Sequence, residues 1–97
     1  MKQNYDMMIE GKVLKVFSEM EKRVSTEDLV RIHEAYELAR EAHAEQKRKS
    51  GEPYIIHPIA VATIVAEELK LGANPVIAAF LHDVVEEVKR ISNENTI

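Results

Sequence analysis

Five residues in two short stretches have the types and spacing for metal-assisted chemistry. His82, Asp83, Glu86 and Glu87 follow one another in "AAFLHDVVEE", and His57 stands before a proline in "RKSGEPYIIHP". On a continuous helix Asp83, Glu86 and Glu87 sit at i, i+3 and i+4, so their carboxylates share a face. His82 lies about 100° round from Asp83, which lets the two side chains converge on one ion between them. Three close carboxylates repel one another, and a divalent cation or a raised pKa on one of them relieves this. Histidine with carboxylates and no thiolate favours Mn, Fe or Mg over structural zinc. The plainer alternative is that these charges only mark where an apolar helix emerges into water. His57 counts against that alternative. Pro58 fixes it on one side and Tyr54, Ile55 and Ile56 anchor it on the other, so the ring is aimed. The nearest ligand atoms of His57, His82 and Asp83 are expected within about 5 Å of each other, given metal–ligand bonds near 2.0–2.2 Å.

The remaining charged candidates are weaker. Lys47, Arg48 and Lys49 either complement the dipole at a helix end or hold a phosphate beside the metal. His33 falls off the apolar stripe of its helix and reads as exposed. His43 falls on the stripe and reads as a core histidine.

The elements that must position these groups read as helices throughout. Ile9, Val13, Val16, Phe17 and Met20 recur at helical spacing, which predicts a helix from about Tyr5 to Lys22. Ser25 or Thr26 caps a second helix that carries Leu29, Ile32, Tyr36, Ala39 and His43 and runs to about Gln46. Pro58 reads as the first residue of a third helix, to about Leu69, with His57 extended at its cap and Gly72 ending it. Pro75 opens a fourth helix that runs to at least Val88. Its first half is apolar on every side, which predicts a central place. No stretch alternates as a strand does, and the tail "SNENTI" is expected to fray.

Composition narrows the function classes. The chain has 97 residues, so one domain is the expectation. Its net charge of −4 disfavours a nucleic-acid backbone as partner. Aromatic residues are 5% with no Trp, which disfavours base-stacking platforms. The absence of cysteine removes disulfides and thiolate chemistry. The longest apolar run, Pro75 to Leu81, is far short of the roughly 20 residues of a membrane span. The start of the chain is too short and too polar for a signal peptide, and a cytoplasmic location is expected.

"AHAEQKRKSGEPYIIHP" followed by "AAFLHDVVEE" resembles the hydrolase domain of the RelA/SpoT family of stringent-response enzymes, within the HD superfamily of metal-dependent phosphohydrolases. The resemblance covers roughly Leu29 to Glu87. It implies an all-α, HD-domain-like bundle of about four to five helices that binds Mn²⁺. The implied reaction removes the 3′-pyrophosphate of (p)ppGpp, giving GDP or GTP and pyrophosphate. By motif position His57, His82 and Asp83 resemble the metal ligands. Glu86 matches the family's glutamate, and Glu87 stands where an Asp is usual; both are the expected catalytic carboxylates. Arg48, Lys49 and Ser50 match the nucleotide-contacting loop. Glu45 replaces a frequent Gly.

The similarity stops after Glu87, where the family continues into helices that bring a fourth ligand, an Asp. No Asp follows Asp83 in this sequence. Residues 1–24 therefore read as an N-terminal helix and 25–97 as a partial HD phosphohydrolase domain, incomplete at its C-terminus. Weak Mn²⁺ affinity, slow or absent hydrolysis and a homo-oligomer are expected. The alternative function is a catalytically incomplete module that self-associates or binds a partner.

Overall fold

The computed structural model describes residues 5–95 and is helical along most of that length. Helix α1 spans Tyr5–Glu21 and α2 spans Thr26–Ala42. Helix α3 spans Ile56–Thr63 and passes directly into a π-helical segment, Ile64–Glu68. Helices α4, Ala73–Leu81, and α5, Val84–Asn95, complete the order. Among the described residues the only β-type pairing is a single antiparallel bridge between Lys47 and Pro53. The all-α expectation holds.

The first two helices follow their apolar spacing. Ile9, Val13, Val16 and Met20 of α1 are buried, as are Ile32, Ala35, Tyr36 and Ala39 of α2. Ser25 caps α2, its hydroxyl accepting from the Asp28 N–H at 3.1 Å, and Glu27 and Asp28 sit favourably at the positive end of the dipole. The second helix stops at Ala42, four residues before the expected Gln46. The chain there turns into the Lys47–Pro53 bridge, and the Gln46 carbonyl accepts the Tyr54 N–H at 3.0 Å. His43 caps the helix end and is 2% exposed, the core position its place on the stripe predicts.

Both proline-led helices begin two residues earlier than Pro58 and Pro75 suggest. Each proline is the third residue of its helix, after Ile56 and His57 in α3 and after Ala73 and Asn74 in α4. The N–H groups of the first turn have no helical partner, so a proline there removes no hydrogen bond. His57 is consequently helical rather than extended, with its N–H donating to Tyr54 O at 2.9 Å.

The end of α3 widens. Leu69 N–H reaches back to Ile64 O at 2.9 Å, a five-residue span. The Arg23 guanidinium from the α1–α2 turn donates to the Ala66 carbonyl inside the widened turn. A side chain inserted on a helix carbonyl is a recognised cause of such irregularity.

Helix α4 packs between α2 and α3. Val76 and Phe80 are fully buried, and the Phe80 ring meets the edge of Tyr36 at 5.6 Å. Its other side, at Asn74, Pro75 and Ala78, is exposed, so α4 is central on one face only. The long helix expected from Pro75 to Val88 is instead two helices, broken at His82 and Asp83. The His82 ring Nδ1 lies 2.7 Å from Ala79 O, the carbonyl that a continuous helix would offer to Asp83. A side chain on that carbonyl competes with the backbone ladder. Asp83 then stands immediately before α5, its carbonyl accepting from Glu87 N–H at 3.1 Å. No helix among the described residues is long and apolar enough to cross a membrane.

Candidate metal centre

Two rigid junctions face each other. One is the entry to α3, where buried Ile55, Pro58 and Ile59 fix the backbone on both sides of His57. The other is the α4–α5 break, held to the core by Phe80 and Val84. The polar residues at these junctions are half-exposed while their neighbours are buried. That is why the sequence is apolar up to His57 and up to His82, and polar only where the side chains turn outward.

His57, His82 and Asp83 each contribute one ligand atom to a group whose atoms all lie within 4.8 Å of one another. Asp83 Oδ2 is 3.0 Å from His82 Nε2 and 3.8 Å from His57 Nε2. The two imidazole rings are 5.3 Å apart at 63°. Ala79 O is an acceptor, so the proton of a neutral His82 resides on Nδ1 and the Nε2 lone pair faces Asp83. A lone pair and a carboxylate oxygen 3.0 Å apart repel unless positive charge lies between them. A divalent cation satisfies that requirement, and a backbone carbonyl on the far ring nitrogen is the usual partner of a metal-binding histidine. The donor set of two imidazoles and a carboxylate, without thiolate, fits such an ion.

Tyr54 supplies a contact that the sequence reading missed. Its hydroxyl donates to Asp83 Oδ2 at 2.6 Å. That bond, then burial and the Asp83 charge, push the phenol pKa up to about 12, so it remains a donor. A lone tyrosine in an otherwise apolar turn, three residues before His57, was the available signal, because a half-buried hydroxyl needs a partner.

The two expected catalytic carboxylates stand in different surroundings. The Glu86 side chain is 76% exposed, with Lys89 at 3.9 Å. The Glu87 side chain is 3% exposed, and both of its oxygens are held by Arg90, each at 2.8 Å. Arg90 pulls the Glu87 pKa below the usual carboxylate range. Neither glutamate belongs to the group formed by the two histidines and Asp83. Glu86 turns to solvent and Glu87 turns inward to Arg90, so the three carboxylates do not gather on one ion as expected.

Lys47, Arg48, Lys49 and Ser50 are exposed on the turn between α2 and α3. Gly51, at φ 92°, closes the turn, with its N–H on Arg48 O at 2.8 Å. Arg48 lies 3.9 Å from Glu52, while among the described residues Lys47 and Lys49 have no acidic partner. Together with Gln46 and Tyr54 these residues line an open depression. Tyr54 thus borders both the basic depression and the candidate metal group. His33 is exposed, its ring 5.5 Å from that of Phe17 at a 50° tilt.

The stretch 35–96 matches the HD domain family. The bifunctional (p)ppGpp synthase/hydrolase SpoT of Escherichia coli is 52% identical over 61 residues, 63% of this chain and 8% of that protein. The guanosine-3′,5′-bis(diphosphate) 3′-pyrophosphohydrolase of Aquifex aeolicus is 57% identical over 56 residues, 58% of this chain and 8% of that protein. A GTP pyrophosphokinase of Streptomyces coelicolor is 43% identical over 79 residues, 79% of this chain and 9% of that protein. The chain therefore spans less than a tenth of the length of these relatives. With its helical fold, its His57–His82–Asp83 group and a match over most of its length, the chain belongs to the HD domain family.

Proposed function

We propose that this chain carries the site of a Mn²⁺-dependent (p)ppGpp 3′-pyrophosphohydrolase. The observation that carries the reading is one tyrosine, Tyr54, joining a three-donor metal group to a basic depression. A cation beside a cationic pocket suits a substrate with two pyrophosphate groups, and relatives named for this reaction are 52% and 57% identical over 61 and 56 residues.

His57, His82 and Asp83 hold the ion through Nε2, Nε2 and a carboxylate oxygen. When bound, Mn²⁺ supplies Lewis acidity to a phosphate oxygen and makes a neighbouring water more acidic. Lys49 and Lys47 neutralise phosphate charge, Ser50 donates a hydrogen bond, and Arg48 either pairs with phosphate or stacks its flat guanidinium on the base. Glu86 is the better proton acceptor of the two glutamates. It is free to reorient, whereas Arg90 lowers the basicity of Glu87 and occupies both its oxygens. Glu87 serves by fixing the start of α5.

The test is release of pyrophosphate from ppGpp in excess Mn²⁺. Release that disappears in Asp83→Ala and in His82→Ala supports the proposal. Equal release by the variants, or no Mn²⁺-dependent ppGpp binding at all, overturns it.

A second reading concerns self-association. Val85, Val88 and Ile91 form an exposed apolar stripe along α5, between 39% and 60% accessible. Such a stripe favours a homo-oligomer. A monomer by light scattering at tens of micromolar overturns it. The net charge of −4 leaves nucleic acid an unfavoured partner, and the proposed location is the cytoplasm.

A further inference from the structure

We propose that Tyr54 is a positioning residue for the metal centre: its hydroxyl sets the direction in which Asp83 presents its coordinating oxygen. This rests on the reading of His57, His82 and Asp83 as ion ligands.

The oxygen that matters is Asp83 Oδ2. It faces both imidazoles and also accepts the Tyr54 hydroxyl at 2.6 Å. A hydrogen bond of that length to a carboxylate is charge-assisted and among the stronger kinds. An aspartate carboxylate turns easily, because its terminal torsion is broad and two-fold. With the hydroxyl on one lone pair of Oδ2, the other lone pair is left directed at the histidine pair. Removing the hydroxyl frees the rotation.

Tyr54 is itself held on three sides. Its ring lies 4.8 Å from that of His43 and 5.8 Å from that of His57. Its N–H is tied to Gln46 O. His43 is buried, with Nδ1 2.7 Å from Gln46 Oε1. Gln46, His43 and Tyr54 thus form a chain of contacts running from the end of α2 to the carboxylate. This gives the buried His43 a use outside the metal group.

The hydrogen bond also withdraws charge from Asp83, which by itself weakens ion binding. Orientation outweighs that loss, since removing an outer partner of a metal ligand typically costs about 10–100-fold in affinity. The experiment is Mn²⁺ titration of the full chain by electron paramagnetic resonance, comparing wild type with Tyr54→Phe. Phenylalanine keeps the ring between His43 and His57 and removes only the hydroxyl. The expected result is about 10-fold weaker Mn²⁺ binding with an unchanged melting temperature without metal. A merely structural role would lower the melting temperature and leave the affinity alone. Equal affinity in wild type and Tyr54→Phe overturns the inference, as does a wild type that binds no divalent cation. If wild type binds Mn²⁺ but releases no pyrophosphate from ppGpp, the proposed activity fails while the affinity ratio still decides the role of Tyr54.

Discussion

The candidate metal group and the basic turn lie on either side of Tyr54 and are built in opposite ways. His57 and Asp83 stand beside buried Pro58 and Val84, the His57 backbone is tied to Tyr54 O, the His82 ring to Ala79 O and Asp83 to the Tyr54 hydroxyl. Lys47 to Ser50 are exposed, and their turn is shaped by backbone bonds around Gly51 and by the Arg48–Glu52 pair. Folding itself therefore sets the geometry of the first region. The second presents its charged side chains to solvent from a turn held at its backbone. An ion needs ligands at fixed distances, whereas a flexible polyanion is satisfied by charge within reach.

The largest effect that would break this contrast comes from Asp83. Asp83→Ala removes the only carboxylate in the group, and Mn²⁺ affinity should fall by about 100-fold or more, since a ligand matters more than its outer partners. Calorimetry of Mn²⁺ binding checks this. The complementary change, Arg48→Ala with Lys49→Ala, should weaken ppGpp binding by roughly 10-fold per charge, as about 1.4 kcal/mol corresponds to tenfold. Mn²⁺ affinity should stay within about twofold, because neither side chain reaches the metal group. A double variant that loses Mn²⁺ instead would show that the regions are one unit.

Glu87 sharpens the contrast within α5. Its folded pKa is lowered by Arg90, so the pair stabilises the fold above the ordinary carboxylate range, and that stability is lost as pH falls through the lowered value. Glu87→Gln should therefore melt lower than wild type at neutral pH, by about 4–8 °C for each 1 kcal/mol lost. The difference should vanish in acid, which thermal unfolding followed by circular dichroism at several pH values will show. The smallest effect belongs to Gly51. At φ 92°, with open space around its Cα, Gly51→Ala meets backbone strain but no clash. A loss of about 1 kcal/mol is expected, with ppGpp binding weakened and Mn²⁺ binding untouched.

Much of this architecture is legible in the residues. The spacing of Ile9, Val13, Val16 and Met20 gives α1, and Ser25 with Asp28 gives the start of α2. The convergence of His57 with His82 and Asp83 follows from a proline-fixed turn and an abrupt change in helix polarity. Other features are set by contacts that no local pattern records. The prolines fix their helix starts only to within a turn, because every position in the first turn tolerates a missing N–H. The break after Leu81 depends on the His82 ring finding Ala79 O, and residue spacing alone favoured continuity. Glu87 is drawn to Arg90 three residues on, a pairing that the spacing of the carboxylates does not reveal. The widened turn at Ile64–Glu68 depends on Arg23, 43 residues away from Ala66 in the chain.

The central claim is that His57, His82 and Asp83 hold one divalent cation in a site separable from the basic turn. It is tested most directly by Mn²⁺ binding to the full chain without nucleotide, measured by electron paramagnetic resonance for wild type, His82→Ala and Lys49→Ala. One bound ion in wild type and Lys49→Ala, lost in His82→Ala, is the predicted result. Binding that survives His82→Ala but falls with Lys49→Ala would contradict the account.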